Sequence, residues 1–124
     1  ALAMRAGDGF APDSPLLARI RDEFGGFEGI IAFGTRASPA QFAALAPRLI
    51  QSDDPAATGI LDAAVGQISE AVAVLQAGQR LPVVCLGGLG PFYAGRLARD
   101  WPIQAAQGSA VDGALALARE GSAR

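Results

Sequence analysis

Gly87, Gly88 and Gly90, with Leu89 between them, are the residues of this sequence best placed to do chemistry. They follow the apolar run "LPVVCL" and precede "PFYAGRLARD". Glycine brings no side chain, so its backbone can approach a ligand closely. A helix that starts just after such a turn points its first N–H groups towards an anion or a polar ligand edge. These are the physical requirements of a nucleotide site. Specificity is limited, because G-x-G-x-x-G fails here: from Gly88 the chain reads G-L-G-P-F-Y. The phosphate loop G-x-x-x-x-G-K-[ST] is absent too. The same glycines would equally make a tight strand-to-helix turn with no ligand.

The other candidates are weaker. Cys85 sits inside the apolar run and reads as a small core residue rather than a nucleophile. Asp53 and Asp54 could be paired carboxylates, but Asp-Asp-Pro before a long helix is first of all a cap. Asp8 belongs to a turn, and Asp112 to the outer face of the last helix. Tyr93 and Trp101 read as packing residues, with an adenine stack as the alternative. The chain has no histidine and one cysteine, which excludes His-based triads, the familiar zinc sites and an internal disulfide. We therefore assign no catalytic residue and no metal ligand from the sequence.

These residues must be carried by elements. Asp13 or Ser14 before Pro15, Ser38 before Pro39, and Asp53-Asp54 before Pro55 each pair a capping side chain with a proline at the first helical position. Leu16, Leu17, Ile20 and Phe24 recur at helical spacing after the first, and Gly25-Gly26 stops that helix. "FEGIIAFG" reads as a short helix. The longest helix runs from Pro55 to Ala77, with Leu61, Ala64, Val65, Ile68, Val72 and Leu75 as its stripe. Gly66 inside it costs about 1 kcal/mol relative to Ala, which predicts a close neighbour there. Pro82–Leu86 shows no alternation and reads as a strand covered on both faces. Ile103–Ala106 reads as a second strand, parallel to the first, with a Pro91–Asp100 helix crossing between them. A closing helix enters at Gly108-Ser109.

At 124 residues, 51% of them hydrophobic and 18% charged, the chain has the makings of one domain with a core. A net charge of -2 without a basic cluster argues against nucleic acid. No apolar run approaches a bilayer-spanning length, so no membrane partner is expected, and the expected compartment is the cytoplasm. Two parallel strands do not make a sheet with covered edges. The chain is therefore expected to be a C-terminal fragment of a larger α/β protein, with "ALAMRAG" continuing an earlier helix.

Taken together, the segments resemble the BadF/BadG/BcrA/BcrD-type ATPase family, and within it the bacterial N-acetylglucosamine and glucosamine kinases. The resemblance rests on "ALAMRAGDGFAPDSPLLARIRDEFG", "PAQFAALAPRLIQ", "LPVVCLGGLG" and "GSAVDGALALARE", in that order. It implies an α/β fold class: the C-terminal part of an actin-like ATPase (ribonuclease H-like) domain, mainly helical with two parallel strands. Residues 1–80 would be the helical segment, and 81–124 the strand-helix-strand-helix segment with the adenosine loop. The resemblance maps the adenosine contact onto Gly87, Gly88 and Leu89, with Gly90 beside it. It implies ATP and Mg2+ as cofactors, the metal ligands and catalytic aspartate lying outside this chain. The implied partners are an amino sugar, the N-terminal remainder of the protein and a second copy in a homodimer. One departure is Asp53-Asp54, where the family often carries Gly-Asp. The alternatives are an activator ATPase of a dehydratase or reductase, which a lone Cys85 does not suit, and a non-catalytic regulatory module.

Overall fold

The structure is a computed structural model, and it describes residues 1–122. Eight helices are found among them: α1 (Leu2–Gly7), α2 (Pro15–Glu23), α3 (Gly26–Arg36), α4 (Pro39–Ala43), α5 (Ala46–Ile50), α6 (Pro55–Gln76), α7 (Gly90–Leu97) and α8 (Ala110–Ser122). The chain forms two compact units, Ala1–Gly66 and the residues from Gln67 onwards, and the boundary falls inside α6.

In the first unit the capping signatures act as expected. The N–H of Leu17 donates to Ser14 Oγ at 3.3 Å, and Pro15 opens α2. Ser38 and Gln41 form a reciprocal capping box at the start of α4. Gly25 and Gly26, at φ 75° and 80°, end α2 and turn the chain into α3. "FEGIIAFG" is helical, within α3. The buried centre is small: Ala3 and Ala6 of α1 meet Leu17 of α2, with Leu2, Ile20 and Ile30 packed around them. Arg21 ties α1 to the loop before α2. Its Nη1 donates to the Ala3 carbonyl at 3.1 Å and to Asp13 Oδ1 at 3.0 Å.

Asp54 does more than cap α6. Its Oδ1 accepts from the N–H of Ala56 at 2.8 Å, while Oδ2 accepts from the N–H of Leu16 at 2.9 Å. Leu16 lies in the first turn of α2, so one carboxylate serves the open N–H groups of two helix starts. Partial burial pushes the Asp54 carboxyl up. The N–H of Leu16, the Ser14 hydroxyl and the N–H groups of Ala56 and Ala57 outweigh it and hold the group below the ordinary 3.8. The unfolded chain then binds the proton more readily than the folded one. The stabilisation from Asp54 is complete above the unfolded value and is lost as pH falls through the lower folded value. Asp54→Ala should lower Tm at neutral pH by roughly 5 °C or more, since two helix starts lose a cap. The deficit should shrink below about pH 4, where the parent loses the same bonds. Thermal melts of both chains at pH 7 and pH 3 check this, and an unchanged Tm at pH 7 would refute it.

The α/β expectation is overturned. The structure is 64% helical and has no strand or sheet among its described residues. The actin-like fold with a pair of parallel strands at Pro82–Leu86 and Ile103–Ala106 is therefore not what this chain forms. What joins the two segments is one parallel bridge, Val83 with Ile103. The N–H of Val83 donates to Pro102 O at 2.8 Å, and the N–H of Gln104 donates to Val83 O at 3.0 Å. The pairing stops there for a physical reason. Pro82 and Pro102 have no N–H to offer. Gln76 takes Leu81 out of any ladder: its Nε2 donates to Leu81 O at 2.7 Å, and its Oε1 accepts from Leu81 N at 2.6 Å. An apolar run without alternation predicts cover on both faces. Instead Val84 and Leu86 are exposed, and Cys85, expected in a core, is only half-buried.

Three smaller expectations also fail. Nothing lies within 4 Å of a Cβ placed on Gly66, so that glycine has no close neighbour. Despite the high apolar content, the buried hydrophobic residues are only Ala3, Ala6, Leu16, Leu17, Ala57 and Leu97 among those described. Finally, α6 is long and apolar enough, by length and composition, to cross a membrane. Alanines keep its mean hydropathy high between the larger apolar residues, which by themselves form only a stripe.

Candidate functional site

The site is built by the second unit, at the carboxyl ends of the two bridged segments. Gly87 leaves the first segment at φ 84°, a left-handed conformation that a side chain would strain. Its carbonyl accepts from the N–H of Gly90 at 3.0 Å, closing a turn. Gly90 opens α7 and is buried. A Cβ there would stand 3.0 Å from the Cys85 carbonyl oxygen, so Gly90 packs the helix start tightly against the segment before the turn. Leu89 is the N-cap without a side-chain bond, and its carbonyl accepts from Tyr93.

The four predicted site residues therefore come together, but for different reasons. The turn needs glycine at 87 for its conformation and at 90 for its packing. It does not need glycine at 88. That residue is exposed, its φ is not left-handed, and a Cβ would meet nothing within 4 Å. The bare backbone of Gly88 is thus left over by the fold.

An open hollow of about 320 Å³ is lined by Val84 and Leu86, which precede the turn, and by residues 104–108; none of Gly87, Gly88, Leu89 and Gly90 lines it. A lining of apolar residues and two glutamines, with no charged side chain, suits a flat, polar-edged ring better than a charged group. The start of α7 is a poor phosphate cradle: Gly90 N already donates to Gly87, Pro91 has no N–H, and no acidic or basic residue lies in the first turn. Magnesium wants carboxylate oxygens in octahedral array. The hollow contains no acid, and no group of three His, Cys, Asp or Glu suited to a metal occurs among the described residues. These residues do not fit a magnesium site, and no metal-dependent step is derived from them.

The aromatic residues named in the sequence pack. Tyr93 meets the ring of Phe92 at 5.2 Å, the Arg96 guanidinium lies 5.2 Å from that same ring, and Trp101 Nε1 donates to Ser69 Oγ at 3.4 Å. Asp53 and Asp54 are not a catalytic pair, since Asp54 is engaged with the two helix starts. Asp112 is exposed as expected, but it also closes a cap: its Oδ2 accepts from both the N–H and the hydroxyl of Ser109 at 2.7 Å. Those bonds hold its carboxyl below the ordinary value.

Sequence reasoning missed the hollow of the first unit. It measures about 380 Å³ and is lined by Phe24, Phe33 and Phe42 among other apolar residues. The rings stack edge to face, at 4.7 Å and 5.0 Å. The nine-residue spacing of these three phenylalanines was the available signal. Thr35 is turned back on its own helix, bonded to the carbonyls of Ile31 and Ala32, so the hollow offers little to a reacting group.

No known protein family, no curated protein and no solved structure matches this chain.

Proposed function

We propose that this chain is the C-terminal nucleotide-binding part of an ATP-dependent amino-sugar kinase, with the turn Gly87–Gly90 against the adenosine of ATP. The observation that carries the reading is Gly88. It is an exposed glycine two residues after Leu86, which lines the hollow of about 320 Å³, and a Cβ on it would meet nothing within 4 Å. Backbone approach to a ligand is one use of such a bare Cα at a helix start. The resemblance of "LPVVCLGGLG" to an adenosine loop supports the same residues.

In this reading the chain binds and orients the nucleoside and does no chemistry itself. Phosphoryl transfer depends on metal and phosphate contacts that hold the γ-phosphoryl in line. Those groups, and the aspartate that takes the sugar hydroxyl proton, would lie in other parts of the kinase.

Titration of the chain with adenosine and ATP, followed by backbone amide shifts, tests this. The expected result is saturable shifts confined to Gly87–Gly90 and residues 104–108, equal for adenosine and ATP within a factor of a few. The chain alone should transfer no phosphoryl group to N-acetylglucosamine or glucosamine. No shift at millimolar adenosine would end the nucleotide reading. Phosphorylated sugar would end the assignment of the chemistry to other residues.

A further inference from the structure

The hollow of the first unit has the lining of a small-molecule site. It measures about 380 Å³. Ile20, Ile30, Ile31 and the three phenylalanines dominate its walls, and no charged side chain takes part. Water has little to hold it there. A buried water needs about two to four polar partners. The one side-chain hydroxyl of the lining, that of Thr35, already donates at 3.1 Å to the carbonyls of Ile31 and Ala32. An apolar guest therefore displaces poorly held water, which favours binding.

The rings decide which apolar guest fits. Phe24, Phe33 and Phe42 form an edge-to-face series, with 72° between the first two planes and 67° between the second two. Phe42 ends the series and is 45% exposed, so its ring is open to a further partner. A flat ring extends such a series through the same quadrupole geometry, and an aliphatic chain does not. Size agrees. An enclosed apolar cavity of about 150 Å³ takes one benzene, and this hollow has more than twice that volume. It has room for two fused rings. Gly34 keeps that room. It lies inside α3, where glycine is a poor helix former, and it lines the hollow. A Cβ on it would meet nothing within 4 Å, so packing does not call for a glycine there.

We infer that the first unit binds an uncharged aromatic molecule of one or two fused rings in the hollow of Phe24, Phe33 and Phe42. The site holds and shelters its ligand and does no chemistry on it. It belongs to a different unit from Gly87–Gly90, and the inference does not depend on the nucleotide reading.

The test is titration of the 124-residue chain with toluene and with naphthalene, followed by the methyl shifts of Met4, Ile20, Ile30 and Ile31. Toluene should give saturable shifts at these methyls with a Kd of about 1 mM. Naphthalene should bind about threefold more tightly or better, since its second ring buries more apolar surface. Gly34→Leu sets a side chain in the open space and should weaken both probes about tenfold, with the helical circular dichroism spectrum intact. Phe42→Leu keeps the lining apolar but removes the open ring, and should weaken naphthalene about fivefold. No saturable shift with either probe overturns the inference. So does a folded Gly34→Leu chain, or a Phe42→Leu chain, that binds like the parent. Shifts of the same methyls that follow protein concentration alone would mean that a second copy fills the hollow, and would overturn it too.

Discussion

Gly88→Val is expected to weaken adenosine nucleotide binding tenfold or more, about 1.4 kcal/mol, with the melting temperature unchanged. The effect follows from the division of labour in the turn. A valine at 88 meets open space and an ordinary φ, so the fold should accept it. The ligand should not, because the branched side chain occupies the approach to the backbone. Gly87→Val is the contrasting variant: at φ 84° a β-branched residue is strained by about 1–2 kcal/mol, so that chain should melt earlier whether or not nucleotide is present. In the intact kinase of the proposed function, Gly88→Val should raise KM for ATP and leave KM for the sugar nearly unchanged. Titration calorimetry and melting curves for the parent and the two variants separate the outcomes. If Gly88→Val keeps both its Tm and its nucleotide affinity, the glycines are only a turn.

The parts of the fold legible in the sequence are those written in adjacent residues. Ser14-Pro15, Ser38-Pro39 and Asp54-Pro55 open helices, and Gly25-Gly26 follows a helix end, because capping and φ preferences act over a few positions. The position of the glycine turn, between an extended segment and a helix, was legible for the same reason. What was not legible depends on partners far along the chain. The bond from Leu16 to Asp54 spans 38 residues, and nothing near either residue announces it. The strand assignment failed because "LPVVCL" reports hydrophobicity, not coverage. Whether such a run pairs depends on donors, and the Gln76 side chain and two prolines remove them at the point where a ladder would grow. Within the site, the sequence presents Gly87, Gly88 and Gly90 as equivalents. Only the backbone angles and the Cys85 carbonyl distinguish the two that the turn requires from the one it does not.

The same distinction sets the largest expected loss of stability, at Gly29. Two glycines, Gly29 and Gly34, sit within α3, and helix propensity alone predicts a gain of up to about 1 kcal/mol for alanine at either. Sterics separate them. A Cβ on Gly34 meets nothing within 4 Å, so Gly34→Ala should be neutral or slightly stabilising. A Cβ on Gly29 would fall on the carbonyl oxygen of Phe24, the residue that ends α2. That obstacle is backbone and has no rotamer to escape into. Relief requires moving the start of α3 away from the end of α2, and these helices pack where Ile20 and Ile30 border the small buried centre. Forced overpacking of this kind costs about 1–3 kcal/mol and exceeds the propensity gain. The centre has few other buried residues to absorb the shift. Gly29→Ala should therefore lower Tm by roughly 5–15 °C, and the edge-to-face stacking of Phe24 on Phe33 should break as the helices part. Far-UV circular dichroism melts of the two alanine variants beside the parent decide it. A Gly29→Ala chain that melts with Gly34→Ala would mean that α2 and α3 do not meet at this glycine.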